Sequence, residues 1–264
     1  MDLGLKGKSA VVSGSTAGIG FAIAALLAEE GANVVVNGRT EGRVAEALKK
    51  IRAGGRHVEV RGVAADLGTA EGVEKFVTEV GAADVLINNL GIFEPKPFME
   101  IPDADWLRFF EVNVLSGVRL ARAYLPGMLK KNWGRIIFVS SESGQQIPAE
   151  MVHYGMTKTA QIAVARGLAE SVAGTGVTVN SVLPGPTASE GVEGFVQELA
   201  KQQGISKSEI EKQFFSTARP SSLLKRFETP EEIAAVVAFV ASTQSVTING
   251  SAVRAEGGVV RSIL

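Results

Sequence analysis

Tyr154 and Lys158 stand four residues apart in a stretch, Val152 to Ala173, whose spacing of apolar residues predicts a helix. Residues i and i+4 share a helix face, so the phenol and the ammonium can meet. An unperturbed tyrosine ionises near pH 10, and bringing it to neutrality takes about 3 units, or roughly 4 kcal/mol. One cation at about 4 Å supplies roughly that at an effective dielectric near 20. Lys158 is therefore expected to tune Tyr154 downward, toward proton transfer near neutral pH. A helical tyrosine with a lysine one turn on is also a common surface pair. Ser141, thirteen positions before Tyr154, follows the apolar run Gly134–Ser140, read as a strand. That places its hydroxyl at the carboxyl edge where open α/β sheets bind ligands, able to bond a substrate oxygen and share developing charge. Ser140 and Ser143 are nearby competitors, and Ser141 could simply cap a loop.

A second constellation is rich in glycine. Gly14, Gly18 and Gly20, with Ser15 and Ile19 among them, directly follow a first apolar run, Ser9–Ser13, and open a helical stretch, Ile19–Glu30. Glycine serves where a backbone turns tightly and where a diphosphate must approach without a Cβ in the way. The helix N-terminus then offers unpaired N–H groups and a partial positive charge. Such a turn alone also arises for packing, but in the first βα turn of a βα array it points to a dinucleotide. After the next run, Asn33–Asn37, come Gly38, Arg39 and Thr40, with no acid before Glu41. A ribose 2′-hydroxyl calls for a carboxylate there and a 2′-phosphate for a cation. Arg39 can grip a phosphate with its fork, which favours NADP(H) over NAD(H). A solvated arginine with dual cofactor use is the plainer alternative.

The elements that must hold these groups follow from the same periodicities. Further strands are expected at His57–Val63, Asp84–Ile87, Val177–Val182 and Ser251–Arg254. Helices are expected at Glu41–Ile51, Ala70–Val80, Asp103–Lys131 as one long helix, and Pro230–Ala241. Apolar strands alternating with helices give a parallel sheet covered on both faces, in one domain spanning residues 1–264. Residues 184–226 carry no strand signal and look partly helical at Gly191–Gln203 and Lys207–Phe215. A loop this long is usually functional, so a substrate lid is placed at 186–226.

Composition closes off other chemistries. The chain has 264 residues, net charge −1, no cysteine and only two histidines, His57 and His153. Disulfides, thiolate metal sites and cysteine nucleophiles are excluded, two histidines make multi-histidine centres and most Ser-His-Asp schemes unexpected, and no metal is expected. A near-neutral charge argues against nucleic acid or an anionic membrane as partner. The N-terminus lacks a signal-peptide core, and the richest apolar stretch, Ile233–Ala241, is too short to span a bilayer, so a cytoplasmic location is expected.

Taken in order, Gly14/Gly18/Gly20, Asp66-Leu67, Asn88-Asn89-Leu90-Gly91, Asn113, Ser141, Tyr154-x3-Lys158 and Pro184-Gly185 resemble the short-chain dehydrogenase/reductase family along nearly the whole chain. The resemblance implies a single-domain Rossmann fold, a doubly wound parallel sheet of about seven strands. It implies an oxidoreductase that interconverts a carbonyl and a secondary alcohol by hydride transfer, with Tyr154 as proton donor or acceptor. Asn113, Ser141, Tyr154 and Lys158 would be the catalytic set, with Asn113 holding a water beside the lysine. Gly14, Ser15, Gly18, Ile19, Gly20, Arg39, Asp66, Leu67, Asn89, Gly91, Tyr154, Lys158, Pro184, Gly185 and Thr187 would bind the cofactor. Asp66 would accept from the adenine amino group, its plainer role being a helix N-cap. The substrate would be a small carbonyl or alcohol, and the chain would form a homodimer or homotetramer through the Asp103–Lys131 and Tyr154 helices, with the tail Val259–Leu264 joining in. A 3-oxoacyl reductase is the default label, yet Asn88–Pro95 and the long lid do not look tuned for an acyl-carrier protein. Leu90 stands where the family usually has alanine, which narrows the expected pocket. Glu142 is read as a solvated loop residue in preference to a contact for a cationic or hydroxylated group, and His153 is given no role. A nucleotide-binding regulatory protein of the same fold, without turnover, is the alternative of a different class.

Overall fold

Short β-branched runs form strands because both sheet faces can bury them, and the sheet that results is wholly parallel. The computed structural model describes residues 1–54 and 58–263, with all their side chains except that of Phe195. Its strands are β1 (Ser9–Val12), β2 (Asn33–Gly38), β3 (Val60–Ala64), β4 (Val85–Asn88), β5 (Gly134–Val139), β6 (Val177–Pro184) and β7 (Ala252–Ala255). They lie in the order β3-β2-β1-β4-β5-β6-β7. The expected start of the third strand at His57 falls outside the described residues. The helices are α1 (Gly18–Glu29), α2 (Glu41–Arg52), α3 (Ala70–Val80), α4 (Asp103–Phe110), α5 (Ser116–Lys131), α6 (Val152–Ser171), α7 (Glu190–Gln203), α8 (Lys207–Thr217) and α9 (Pro230–Ala241).

Successive strand side chains point to opposite faces, so one sheet feeds two cores. Ala10, Val12, Val34, Val36 and Ile87 pack under α1, α2 and α9 through Ile23, Leu27, Ile51 and Val237. Val11, Val35, Leu86 and Phe138 pack under α3, α5 and α6 through Phe76, Leu120, Met128 and Ala165. Strand order reverses between β1 and β4, and the loops that leave their carboxyl ends part company there. That divergence opens the crevice in which sheets of this kind hold ligands.

The stretch expected as one helix over 103–131 is two, joined by a π turn at Glu111–Leu115. Ser116 N donates to Glu111 O, five residues back, so one extra residue enters the turn. Turns of this kind cluster at functional positions because they redirect a side chain without breaking the helix. Here Asn113 turns inward and is 1% exposed. The segment 186–226 contains α7 and α8, close to the partly helical expectation. Thr187 bridges Glu228 in parallel at its base. No helix among the described residues is long and apolar enough to cross a membrane.

Candidate active site

The glycine turn is built by hydrogen bonds that its neighbours supply. Ser13 Oγ accepts from Asn89 N at 2.9 Å and Leu90 N at 3.0 Å, tying the end of β1 to the loop after β4. Asn89 Nδ2 donates to the carbonyls of Ser13 (3.1 Å) and Gly14 (3.0 Å). Ser15 is buried, its hydroxyl donating to Val12 O and accepting from Asn37 N, while Asn37 Oδ1 takes the Gly14 N–H. Ser15 and Asn89, both expected at the cofactor, thus have side chains committed to shaping the turn, and Asn37 is a third support that the motif did not reveal.

The space is then measured by what a Cβ would meet. Gly14 and Gly18 take φ of +60° and +55°, the left-handed region that glycine enters freely. At Gly20 a Cβ would lie 2.4 Å from the Gly14 carbonyl and 2.4 Å from Asn89 Nδ2, so none fits. Helix α1 begins here with no side chain capping its first N–H groups. A tight loop, open amide donors and a positive helix end together suit a diphosphate. Arg39 is exposed at the end of β2 and has no acidic partner among the described residues. Asp66 is exposed, and its Oδ1 accepts from Gly68 N at 3.0 Å. The N-cap of α3 is Thr69, so the capping role considered for Asp66 does not exist. Leu67 is buried and Ile19 half-buried. Gly185 N donates to Ala255 O and Glu228 Oε2, each at 3.0 Å, and a Cβ there would lie 2.8 Å from Glu256 O. Beyond Pro184, Thr187 Oγ1 donates to Gly185 O. These residues fit a dinucleotide along the carboxyl edge, from Arg39 and Asp66 to the end of β6.

The catalytic candidates converge beside Gly91, whose Cβ would stand 3.5 Å from both Asn113 Oδ1 and Lys158 Nζ. Lys158 Nζ lies 5.6 Å from the Tyr154 ring centre and donates to Val139 O at 3.0 Å and Gln161 Oε1 at 3.2 Å. Asn113 Oδ1 accepts from Ile92 N at 2.7 Å, and its Nδ2 donates to Ile92 O and Thr157 Oγ1. Its side chain therefore pins the loop after β4 to α6. Ser141 Oγ accepts from Ser143 N at 3.1 Å, and its hydroxyl acts on Tyr154 to lower the phenol's pKa. Phe93 meets the Tyr154 ring edge-on at 6.3 Å.

Burial sets the electrostatics. It pushes Tyr154 up to about 12, opposed by the Ser141 hydroxyl and the Arg219 cation and reinforced by the Glu142 carboxylate. It pulls Lys158 down to about 7. The expectation that Lys158 brings Tyr154 toward neutrality is thus overturned for the protein's own charges. Its physical error was to count the attraction of one cation and omit the loss of water around both groups.

Sequence reasoning also misjudged Glu142. It is 3% exposed, and its Oε1 accepts from Arg219 Nε of the 186–226 segment at 2.8 Å. Arg219 is 6% exposed and also reaches Glu150 at 3.1 Å. Nothing local in the sequence marks a partner 77 residues away. Gln161 and Thr157 did leave a signal: residues 154, 157, 158 and 161 form one polar stripe at helical spacing. His153 is buried against Phe109 and Trp106, away from these groups' chemistry. Of the tail, Val259 and Val260 are buried within their own chain. Among the described residues no group of three His, Asp or Glu side chains could hold a metal ion.

Comparison with known proteins finds relatives along the whole chain. Residues 8–200 match the family model described as short chain dehydrogenase. An uncharacterized oxidoreductase of Bacillus subtilis, YvaG, is 48% identical over 263 residues, covering 100% of both chains. D-beta-hydroxybutyrate dehydrogenase of Cupriavidus necator is 33% identical, over 97% of this chain and 99% of its own. Among solved structures, L-sorbose reductase from Gluconobacter frateurii, complexed with NADPH and L-sorbose, superposes with a TM-score of 0.93 at 34% identity over 100% of both chains.

Proposed function

The chain belongs to the short-chain dehydrogenase family and is an oxidoreductase, and on that premise we propose that it is an NADP(H)-preferring reductase interconverting a carbonyl and a secondary alcohol. The observation that carries the proposal is the placing of the Lys158 ammonium by the Tyr154 ring and beside Gly91, in the loop that Asn89 ties to the glycine turn, with the Ser141 hydroxyl acting on the same phenol. The nicotinamide nucleotide supplies or accepts the hydride when bound. The remaining work falls to the chain's own groups. Ser141 holds the substrate oxygen beside the Tyr154 hydroxyl. Tyr154 gives that oxygen its proton as negative charge gathers there, and takes a proton back in the oxidative direction. A phenol that burial keeps protonated at neutral pH is ready to donate, which suits the reductive direction. Lys158 offsets the charge left on the phenolate, and Asn113 fixes the loop after β4 against α6.

Arg39, without an acid beside it, supports the 2′-phosphate preference, as does the NADPH in the L-sorbose reductase complex. The 186–226 segment serves as the lid: Ser189 abuts Gly18, and Arg219 reaches Glu142 next to Ser141. The L-sorbose in the Gluconobacter frateurii reductase complex puts hydroxylated ketones first in a substrate panel. The deciding experiment is Tyr154→Phe. Turnover should vanish for every carbonyl in the panel, while NADPH binding, followed by nicotinamide fluorescence, stays near wild type. Undiminished turnover would sink the mechanism, and a wild-type protein that binds NADPH yet reduces nothing would restore the regulatory alternative.

A further inference from the structure

Gln161 is a buried polar group to which the reaction above assigns no task. It lies three residues beyond Lys158 on the same face of α6 and is 1% exposed. Its Oε1 accepts from Lys158 Nζ at 3.2 Å, and its Nε2 donates to the main-chain carbonyl of Asn113 at 2.6 Å. The amide cannot be flipped: an ammonium only donates and a carbonyl only accepts, so each neighbour dictates which end it meets.

We infer that Gln161 is a positioning residue, which through this bridge fixes the Lys158 ammonium against the π turn and sets how firmly it keeps its proton. The inference rests on the reading of Tyr154 and Lys158 as the proton-transfer pair.

An ammonium has three N–H bonds. Val139 O and Gln161 Oε1 take two of them, which leaves the third for the site. Both acceptors are neutral dipoles. The groups around Lys158 are Tyr154 on its own helix, the Val139 carbonyl at the end of β5, Asn113 in the π turn and Gly91 in the loop after β4. None carries a formal charge, and burial alone accounts for the downward shift of Lys158. The nearby charges, Glu142 and Arg219, bear on Tyr154 instead. With no anion to hold the cation, a single amide oxygen is a large share of what keeps Lys158 charged, because a hydrogen bond to an ionised group is among the strong ones. The far end of the amide is anchored on the main chain of Asn113, whose side chain is held by Ile92 and Thr157, so the oxygen cannot follow a straying lysine.

The test reads Lys158 directly and needs no substrate. Protein carrying carbon-13 at lysine Cε is titrated by nuclear magnetic resonance, with the Lys158 signal identified by its loss in Lys158→Met. Gln161→Met keeps the length and removes both hydrogen bonds, and should lower the Lys158 midpoint by about one unit. Gln161→Glu keeps an acceptor and adds charge, and should raise the midpoint by a similar amount. A Gln161 that only packs the helix would leave the Gln161→Met midpoint equal to that of wild type, whatever Gln161→Glu does, and that result overturns the inference. If Gln161→Met does not fold, Gln161→Leu, which also removes both hydrogen bonds and adds no charge, takes its place with the same expected fall and the same overturning result. Where turnover is found, the pH limb of kcat should move in the same order as the midpoints. Wild-type protein that reduces nothing would count against the reductase reading while leaving the lysine titration to decide this one.

Discussion

Replacing Arg219 by methionine leaves Glu142 as a buried carboxyl without its counter-charge, and the consequence should depend on pH. Glu142 is 3% exposed and Arg219 6%, with 2.8 Å between Nε and Oε1. Removing one partner of such a buried pair costs about 3–5 kcal/mol, because the remaining charge is neither hydrated nor compensated. In a chain of this size 1 kcal/mol corresponds to about 2–4 °C in Tm, so Arg219→Met should melt roughly 6–20 °C lower near pH 8. The second bond of Arg219, to the half-exposed Glu150, adds little by comparison. The sign with pH follows from Glu142. Burial already raises its pKa above the usual carboxylate range in spite of Arg219, and loss of the guanidinium raises it further. A group whose folded pKa is raised gives its full stability below the unfolded value and loses it as pH climbs through the folded one. The deficit of Arg219→Met should therefore shrink as pH falls and the carboxyl takes up a proton, and widen at alkaline pH. The assay is thermal unfolding by circular dichroism from acid to alkaline pH. Glu142→Gln in the Arg219→Met background should recover much of the loss, and Glu150→Gln alone should cost less than about 1 kcal/mol. A deficit equal at all pH values, or a double variant no better than Arg219→Met, would refute the argument that the uncompensated carboxyl is the cause.

Other expectations follow from single residues. Arg39→Ala should weaken NADPH by roughly tenfold or more while leaving NADH nearly unchanged, as measured by fluorescence titration, because a charged hydrogen bond to the 2′-phosphate is lost; equal losses would show that Arg39 does not read the phosphate. Gly20→Ala should abolish nucleotide binding and lower Tm, since its Cβ would sit 2.4 Å from the Gly14 carbonyl. Gly42→Ala, on an open face of α2 where a Cβ meets nothing within 4 Å, should instead stabilise by about 0.5–1 kcal/mol. Limited proteolysis between Glu190 and Arg226 should slow when NADPH and substrate are added together; unchanged cleavage would count against the lid.

The sequence by itself determined the parallel sheet, the glycine turn and the meeting of Tyr154 with Lys158 on one helix face, because each depends on local spacing. A run such as Asn33–Val36 is a strand on any reading of its β-branched residues, and Tyr154 and Lys158 share a face wherever the helix lies. The capping boxes Ser206/Glu209 and Thr229/Glu232, which the structure shows at the starts of α8 and α9, are local in the same way. The tertiary structure decided what depends on neighbours distant in the chain. The π turn at Glu111–Leu115 leaves no mark on apolar periodicity, yet it aims Asn113 inward, where Ile92 and Thr157 hold its amide. Glu142 looks like a loop carboxylate until the fold brings Arg219 against it. Ser15 and Asn89 match a cofactor motif, but packing commits their side chains to the turn itself. The ionisation of Tyr154 and Lys158 lies furthest from the sequence, because it is set by how much water the fold removes from each group. Spacing along a chain fixes which groups can meet, and only the packed interior fixes the dielectric in which they do.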